Sequence, residues 1–304
     1  MNRLVLLPLL AIVAAVTGTI VLENWPLPAA AKVTELQGDA KRGAYLARLS
    51  GCVTCHTAPA TPPLSGGAAI ASNFGSFRAP NITPDPVAGI GAWTFKQFVR
   101  AVRQGVSPRG ETYYPAFPFE FYATLTDQDM ADLWAAVQAT PSVDKPSEGH
   151  DLRFPFNVRA AVKVWRSLFE RTADYEVDAS RTSEWNRGKY LVEGPAHCAA
   201  CHTPRNLLGG LSSKELAGDP NMQGGGASPA ITAGALTAGD YTRESLVQAL
   251  RTGVTPNGDV FGGSMAEVVH GSTKFLLEQH LVDMATFLLD LGSGDASEGE
   301  KSKP

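Results

Sequence analysis

The chain has 304 residues, of which 18% are charged, and its net charge is −4. This length predicts about two domains. The weakly acidic balance is not typical of proteins that bind nucleic acid through a basic surface, so no nucleic-acid partner is expected.

An apolar run, residues 4–22, follows the basic start Met1-Asn-Arg3 and predicts an export signal. The run has 19 residues, which exceeds the roughly 7–15 of a signal peptide and is enough for a helix to span the hydrocarbon core. We therefore expect a retained hydrophobic helix that anchors the chain in the membrane, with Trp25 in the interface. The alternative is a cleaved signal peptide, for which Ala29-Ala-Ala31 is a suitable cleavage site. Residues 1–31 form the segment in either case.

A short helix is predicted from Asp39 to Leu49, and it leads into Cys52-Val-Thr-Cys-His56. The same pattern recurs as Cys198-Ala-Ala-Cys-His202. Cys-x-x-Cys-His is the attachment signature of a c-type haem, in which two thiols bind the porphyrin vinyl groups and the adjacent His binds the iron. The pattern predicts two covalent haem c groups, the first held by Cys52, Cys55 and His56 and the second by Cys198, Cys201 and His202.

Other chemistries of four cysteines fit this spacing less well. A zinc ribbon places its second Cys pair about 15–20 residues after the first, whereas Cys55 and Cys198 are 143 positions apart. A thioredoxin-type pair needs a βαβ context, which the pattern lacks. A disulfide framework is typical of shorter chains that are richer in cysteine.

The two motifs belong to an internal repeat. Arg42-Gly-Ala-Tyr-Leu46 recurs as Arg187-Gly-Lys-Tyr-Leu191, and the segment Phe98–Gly110 recurs as Leu246–Gly258, 148 positions later. A near-constant offset over several segments indicates two copies of one domain. We expect these domains at 35–140 and 184–292.

Each repeat closes with a predicted helix. The first runs from Asp127 to Ala139 after Thr126, a good N-cap, and the second runs from Leu276 to Leu291. One face of the second helix carries four apolar residues, Leu277, Leu281, Met284 and Leu288.

The connector, residues 141–183, is too long for a plain loop. We expect Asn157 to cap a helix that runs to about Arg171. Its apolar stripe consists of Val158, Val162, Trp165 and Phe169, and its basic side consists of Arg159, Lys163, Arg166 and Arg171. The helix is interpreted either as a strap across both domains or as a basic surface for a membrane or partner. Residues 293–304 are predicted to be a frayed tail.

A low-spin haem needs a sixth ligand, and Met is the usual partner of His in cytochromes c. We expect Met265, in the glycine-rich Phe261-Gly-Gly-Ser-Met265, to bind the second iron, because glycines allow the backbone to approach the porphyrin. Met222 is the weaker alternative, and Met284 is assigned to the core.

The repeat offset places Phe117 where a first sixth ligand would be expected, and phenylalanine cannot bind iron. Met130 in the closing helix and His150 in the connector are alternatives, as are two tyrosines, Tyr113 and Tyr114. The remaining interpretation is a five-coordinate or water-ligated first haem. We therefore expect two unlike haems.

Three weaker patterns also recur. Pro59 and Pro204 follow the haem-binding histidines and are expected to provide carbonyls that accept the imidazole N–H. Arg103 and Arg251 are interpreted either as partners of haem propionates or as solvated charges. Three histidines outside the motifs are expected to have surface or structural roles, His197, His270 and His280.

Six sequence motifs carry a resemblance to a known family. They are Asn81-Ile-Thr-Pro-Asp-Pro86, Gly89-Ile-Gly-Ala-Trp93, Gly105-Val-Ser-Pro108, Tyr114-Pro-Ala-Phe-Pro118, His202-Thr-Pro-Arg-Asn206 and Gly262-Gly-Ser-Met-Ala-Glu267. Over about residues 39–291 the chain resembles the cytochrome c subunits of bacterial alcohol, aldehyde and gluconate dehydrogenases. The resemblance implies an all-α fold of two tandem class I cytochrome c domains, each around one haem. It also implies periplasmic electron transfer from a dehydrogenase subunit to a quinone, an oxidase or a soluble cytochrome.

The chain departs from that family in two respects. Those subunits commonly carry three haems, and this chain has two motifs. Phe117 also replaces the family's axial Met in Tyr-Pro-Ala-x-Pro. An electron carrier is therefore the expected function, and a peroxidase-like haem enzyme that uses an open first iron is the alternative. The carrier is favoured because a peroxidase needs acid–base groups over the iron, and the neighbourhood of Phe117 contains Tyr113, Tyr114 and Glu120 but no His.

Overall fold

The computed structural model describes residues 17–18, 20–172 and 175–290. Most of the predicted N-terminal hydrophobic helix and the whole predicted tail lie outside these residues. Within the described ranges, none of the helices has the length and apolar character needed to cross a membrane.

The first half of the chain forms a bundle of helices joined by long loops. Its helices are α1 (Ala40–Leu49), α2 (Cys52–His56), α3 (Phe95–Gln104), α4 (Phe119–Tyr122) and α5 (Asp127–Gln138). The connector contributes α6 (Ala161–Phe169).

The second half has a similar order of helices. Its helices are α7 (Ser183–Glu193), α8 (Ala199–His202), α9 (Ala233–Ala238), α10 (Arg243–Thr252), α11 (Gly263–Gly271) and α12 (Glu278–Asp290), with a short 3₁₀ helix (Thr273–Phe275) before α12. Helix α9 is an additional one.

The all-α expectation misses a small antiparallel sheet. β1 (Ala69–Ser72) pairs with β2 (Gly75–Arg78), and β2 pairs with β3 (Asp151–Leu152) from the connector. Gly75 has a φ of +125°, a conformation that favours glycine and allows the tight hairpin. The sheet fastens the connector to the first half.

The first and last helices of each half cross closely at a glycine. A Cβ on Gly43 of α1 would lie 1.8 Å from the carbonyl oxygen of Asp132 in α5. A Cβ on Gly188 of α7 would lie 2.0 Å from the carbonyl oxygen of Asp283 in α12. The glycine of the repeated Arg-Gly-x-Tyr-Leu segment is therefore needed for backbone contact between the two helices.

The arginine beside each glycine pairs with the closing helix of its own half. Nε of Arg42 lies 2.7 Å from a carboxylate oxygen of Asp132, and Nε of Arg187 lies 2.8 Å from one of Asp283. Both aspartates are buried. Burial alone would raise the pKa of Asp132, but hydrogen bonds from Arg42 and the Asp39 amide hold it below its usual value.

Below these crossings lies a continuous apolar core that includes side chains from both halves. Met130 in α5 is fully buried in this core, and it occupies the position that Leu281 occupies in α12. Met284 is buried in the same way. Leu277, predicted on the apolar face of the closing helix, precedes that helix and is exposed.

The predicted helix boundaries agree closely in the two repeats and less well in the connector. Thr126 caps α5 in a capping box with Asp129. The connector helix begins at Ala161, later than predicted, and Asn157 does not cap it. Residues 154–157 and 159–160 form turns instead.

The connector helix contacts both halves. Arg166, predicted on its solvated basic side, is buried and stacks 4.5 Å from the ring centroid of Phe119 in the first half. Nε1 of Trp165 donates to the carbonyl of Leu208 in the second half at 2.7 Å. The connector helix therefore has the contacts expected of a strap across both halves.

The helix crossings make a direct prediction. Gly43→Ala or Gly188→Ala should each destabilise the holoprotein by about 1–3 kcal/mol, because the added methyl group overpacks a backbone contact. Thermal unfolding followed by circular dichroism measures the change. Gly234→Ala is the matched control, since a Cβ at that helical position meets nothing within 4 Å. Equal unfolding temperatures for Gly43→Ala and Gly234→Ala would contradict the assignment.

Candidate haem-binding site

Each Cys-x-x-Cys-His motif lies on a short helix directly after the first long helix of its half. The first motif forms α2, and in the second motif Cys198 precedes α8. Left-handed residues make the turn into both motifs, Gly51 with a φ of +68° and His197 with a φ of +39°. Glycine adopts this conformation without strain, whereas histidine does so at a cost that the surrounding contacts must offset.

The imidazole of each motif is oriented by a backbone carbonyl. Nδ1 of His56 lies 2.7 Å from the carbonyl oxygen of Pro80, and Nδ1 of His202 lies 2.8 Å from that of Pro229. A carbonyl oxygen can only accept, so Nδ1 carries the proton and Nε2 is left with its lone pair. This is the arrangement that a histidine bound to iron requires.

The two carbonyls are not the predicted ones. We expected them from Pro59 and Pro204, close to the histidines in sequence, but they come from Pro80 and Pro229 on more distant loops. These two prolines begin the repeated segments Pro80-Asn-Ile-Thr83 and Pro229-Ala-Ile-Thr232. The recurrence of these two segments was a signal that the prediction of the carbonyls did not use.

The cysteines fit covalent attachment to an apolar group. All four are free of disulfide bonds. Burial raises the pKa of Cys52 and of Cys198 to about 12, which keeps both thiols neutral. Among the residues that the structure describes, no cluster of three or more His, Cys, Asp or Glu side chains could hold a metal ion, so the zinc alternative gains no support. Free thiols beside a pre-oriented imidazole fit haem c.

The two motifs approach each other where the halves meet. Helix α11 of the second half packs on α2 of the first, and a Cβ on Gly271 would lie 2.4 Å from Oγ1 of Thr54. Burial raises the pKa of Cys55, and the nearby Cys201 and Glu267 raise it further. The two attachment sites are therefore neighbours, although 146 positions separate them in the sequence.

His197 lies between the motifs. Its ring packs edge-on against Tyr122, with ring centroids 5.5 Å apart, and a Cβ on Gly51 would lie 3.6 Å from its Cε1. Its Nδ1 lies 2.8 Å from the carbonyl oxygen of Pro195. The sequence predicted a surface or structural role, and the structure adds that this residue bridges the two halves.

Two tyrosines join the halves in nearly the same way. The hydroxyl of Tyr45 lies 2.7 Å from Nδ1 of His280 and accepts from the amide of Leu277 at 3.2 Å. In the reverse direction, the hydroxyl of Tyr190 donates to the carboxylate of Asp129 and accepts from the amide of Thr126. Leu277 follows Thr126 by 151 positions, and His280 follows Asp129 by the same number. The interface is thus approximately symmetric, with each tyrosine contacting the start of the other half's closing helix.

Met265, the predicted sixth ligand of the second haem, is half-buried and packs against the core. It lies in the first turn of α11 rather than in the predicted loop. The glycines before it form the N-cap, Gly262, and a left-handed residue, Gly263 with a φ of +52°. Met222, the alternative, lies in a glycine-rich loop whose backbone is closed by a hydrogen bond to Gly226.

Phe117 lies in a cluster of aromatic rings. Its ring centroid is 5.6 Å from that of Tyr122 and 5.9 Å from that of Tyr113. His150, an alternative ligand, accepts instead from the amide of Arg78 at 3.2 Å and packs edge-on against the Tyr114 ring. Burial raises the pKa of Tyr113 to about 12, so its hydroxyl stays protonated.

Arg103 and Arg251 already have carboxylate partners. Arg103 lies 2.8 Å from Asp127, and Arg251 lies 2.5 Å from Glu278, the first residue of each closing helix. Both arginines therefore take part in a repeated ion pair within the protein, and their pairing with haem propionates stays a prediction.

The symmetric interface predicts that two similar substitutions lower the free energy of unfolding by different amounts. Tyr190→Phe should cost about 1.5–3 kcal/mol because it removes a hydrogen bond to a carboxylate, and Tyr45→Phe should cost about 0.5–1.5 kcal/mol because its partner is neutral. Urea unfolding of the holoprotein measures both. Tyr241→Phe is the control, since its hydroxyl has no hydrogen-bond partner among the described residues. A loss for Tyr190→Phe no larger than the control would contradict the interface.

Comparison with known proteins identifies relatives over most of the chain, although no family sequence model matches it. The diheme cytochrome c-type protein of Cereibacter sphaeroides is 42% identical over 79% of this chain and 81% of its own length. The gluconate 2-dehydrogenase cytochrome c subunit of Pantoea cypripedii is 35% identical over 95% of this chain. The cytochrome c subunit of the quinone-dependent alcohol dehydrogenase of Gluconobacter oxydans is 36% identical over 82% of it.

The chain spans 66% and 54% of the length of the gluconate and alcohol dehydrogenase subunits, respectively. It covers a larger share of the C. sphaeroides cytochrome. The free thiols, the oriented imidazoles and the internal repeat agree with these relatives. The chain therefore belongs to the family of c-type cytochromes that includes this diheme protein and the cytochrome c subunits of gluconate and alcohol dehydrogenases.

Proposed function

We propose that this protein is a dihaem electron carrier that accepts electrons from a dehydrogenase subunit and passes them to the respiratory chain. The observation that carries the proposal is the juxtaposition of the two attachment motifs, shown by the packing of α11 on α2 and by the influence of Cys201 on Cys55. Each haem, when bound, supplies a one-electron Fe(III)/Fe(II) couple. Two such groups held at one interface suit electron transfer between them.

The chain contributes attachment and orientation. Four thiols, those of Cys52, Cys55, Cys198 and Cys201, fix the porphyrins covalently. The carbonyls of Pro80 and Pro229 hold the protons of His56 and His202 on Nδ1, so that each Nε2 keeps its lone pair and would bind the iron as a neutral donor. A hydrogen bond at the remote nitrogen also raises the basicity of the ligand. His56 and His202 then need little rearrangement when the charge of a haem site changes.

We further propose that the two sites differ. Met265 would complete the coordination of the second iron, supported by its place in the glycine-rich turn at the start of α11. In the first site Phe117 occupies the corresponding position and offers no donor atom. Met130 is buried in the core and His150 accepts a backbone hydrogen bond, so neither is favoured as its replacement. The first site is therefore proposed to lack a protein sixth ligand.

The proposed partners follow from the relatives. A dehydrogenase subunit is the proposed donor, since several relatives are named as cytochrome c subunits of dehydrogenases. A quinone, an oxidase or a soluble cytochrome is the proposed acceptor. The proposed location is the periplasmic side of the inner membrane, with the apolar segment within residues 1–31 as the anchor.

The unlike sites predict opposite effects of two substitutions. Met265→Ala should lower the midpoint potential of one haem by on the order of 0.1 V, because a thioether ligand raises the potential and axial ligands set it over about 0.8 V. Phe117→Met should raise the potential of the other haem. Spectroelectrochemical titration measures both. Met222→Ala is the control, and a shift with Met222→Ala but none with Met265→Ala would contradict the ligand assignment.

A peroxidase-like enzyme remains the second candidate because Phe117 leaves the first site open, but the relatives are electron-carrying subunits. We predict that the reduced holoprotein transfers both electrons to an added oxidised soluble cytochrome c and consumes hydrogen peroxide only slowly. Stopped-flow absorption at the haem bands measures both reactions. Rapid, repeated peroxide consumption that is lost in Phe117→Met would overturn the carrier function and favour the enzyme.

A further inference from the structure

A large apolar surface lies on one side of the connector. It consists of Phe154, Phe156, Leu168, Leu207 and Leu208, which we call the apolar face. Leu207 is 97% exposed, Phe154 80% and Leu168 68%. Single exposed apolar residues are ordinary on a protein surface, but a contiguous group of this size marks an interaction site.

Contacts between the elements bring the three segments of the apolar face together. The ring centroids of Phe74 and Phe156 lie 4.7 Å apart. A Cβ on Gly209 would lie 3.4 Å from the Phe74 ring, so the loop that carries Leu207 and Leu208 borders this pair. Nε1 of Trp165 donates to the carbonyl of Leu208, which joins the same loop to the helix that carries Leu168. Three separate segments therefore contribute to one surface.

The end of the N-terminal apolar run is fastened beside this surface. Nε1 of Trp25 donates to Oγ of Ser167 at 2.8 Å, next to Leu168. Nζ of Lys163 donates to the carbonyl of Glu23. The run of residues 4–22 thus ends within a few residues of a point fixed on α6, and most of that run lies outside the described part of the chain.

The connector segment that carries Phe154, Phe156 and Leu168 is basic. Residues 153–171 contain five basic residues and one acidic residue, in a chain whose net charge is −4. Three of the basic side chains donate to backbone carbonyls, Arg159, Lys163 and Arg171. A carbonyl does not cancel their charge. Arg166 alone among the five pairs with the acidic residue, Glu170.

We propose that the apolar face lies against the membrane, with its leucines and phenylalanines in the headgroup region of a bilayer that contains anionic lipid. Apolar side chains with a basic surround are the features that bind proteins to such interfaces. If the proposed anchor is retained, the chain would leave the bilayer at Glu23 and Trp25, beside the face, and both contacts would place the same side of the molecule on the lipid. The proposal rests in part on the membrane anchor proposed above.

Spin labels test this orientation in the full-length holoprotein. Haem attachment consumes all four native thiols, so Leu168→Cys, Leu207→Cys and Val87→Cys each give one site for a nitroxide label. Val87 is the control, an apolar residue that is 89% exposed and distant in sequence from the face. The proteins are reconstituted into vesicles of phosphatidylcholine with phosphatidylglycerol, and label accessibility to oxygen and to a water-soluble nickel chelate is measured.

Labels at 168 and 207 should show several-fold lower access to the nickel chelate than the label at 87, and higher access to oxygen. Omitting phosphatidylglycerol should reduce this difference. Vesicle association with equal aqueous exposure at all three sites would overturn the apolar-face proposal and leave the anchor intact. Failure of the protein to associate with vesicles would overturn both. Aqueous labels at 168 and 207 that become immobilised only on adding a dehydrogenase would assign the face to a protein partner instead.

Discussion

The close crossing of the first and last helices in each half is the constraint on which the rest of the structure depends. Gly43 and Gly188 permit backbone contact, and the adjacent arginines pair with buried aspartates of the closing helices. The crossing holds α1 and α7 against the closing helices, and each of these helices leads into the haem-binding motif of its half. It also leaves one tyrosine of each repeated segment free to reach across to the other half. A side chain larger than glycine at the crossing would move all of these groups together.

The two halves meet with approximate symmetry, but they differ at the positions closest to the proposed chemistry. The tyrosine contacts repeat, as do the carbonyls that orient the imidazoles. Among the equivalent positions that differ are three pairs: Gly51 and His197, Phe117 and Met265, and Asp129 and His280. Each of these pairs lies at the interface, in a motif's entry turn or at the proposed sixth-ligand position. The duplicated fold is therefore common to both halves, and the substitutions within it are the basis for the two unlike sites proposed above.

The sequence predicted the features that depend on local spacing. It located the two motifs and the closing helices, because each is set by residues within a few turns of one another, and it located the repeat from a near-constant offset along the chain. It missed the sheet, whose third strand comes from the connector, and it chose Pro59 and Pro204 because they are near in sequence to the histidines. The interface around His197 could not be predicted from the sequence pattern either, because it depends on how the two halves pack together. Comparing equivalent residues of the two repeats would have pointed to Pro80 and Pro229.

The most direct test of the account is to count the haems and identify their ligands in protein made by a host competent for cytochrome maturation. Pyridine haemochrome absorption gives the number of covalent haems for each chain, and electron paramagnetic resonance of the oxidised protein gives the spin state of each iron. We predict two haems, one low-spin with histidine and methionine ligands and one without a strong sixth ligand. A colourless protein, a single haem, or two equivalent low-spin haems would contradict the account.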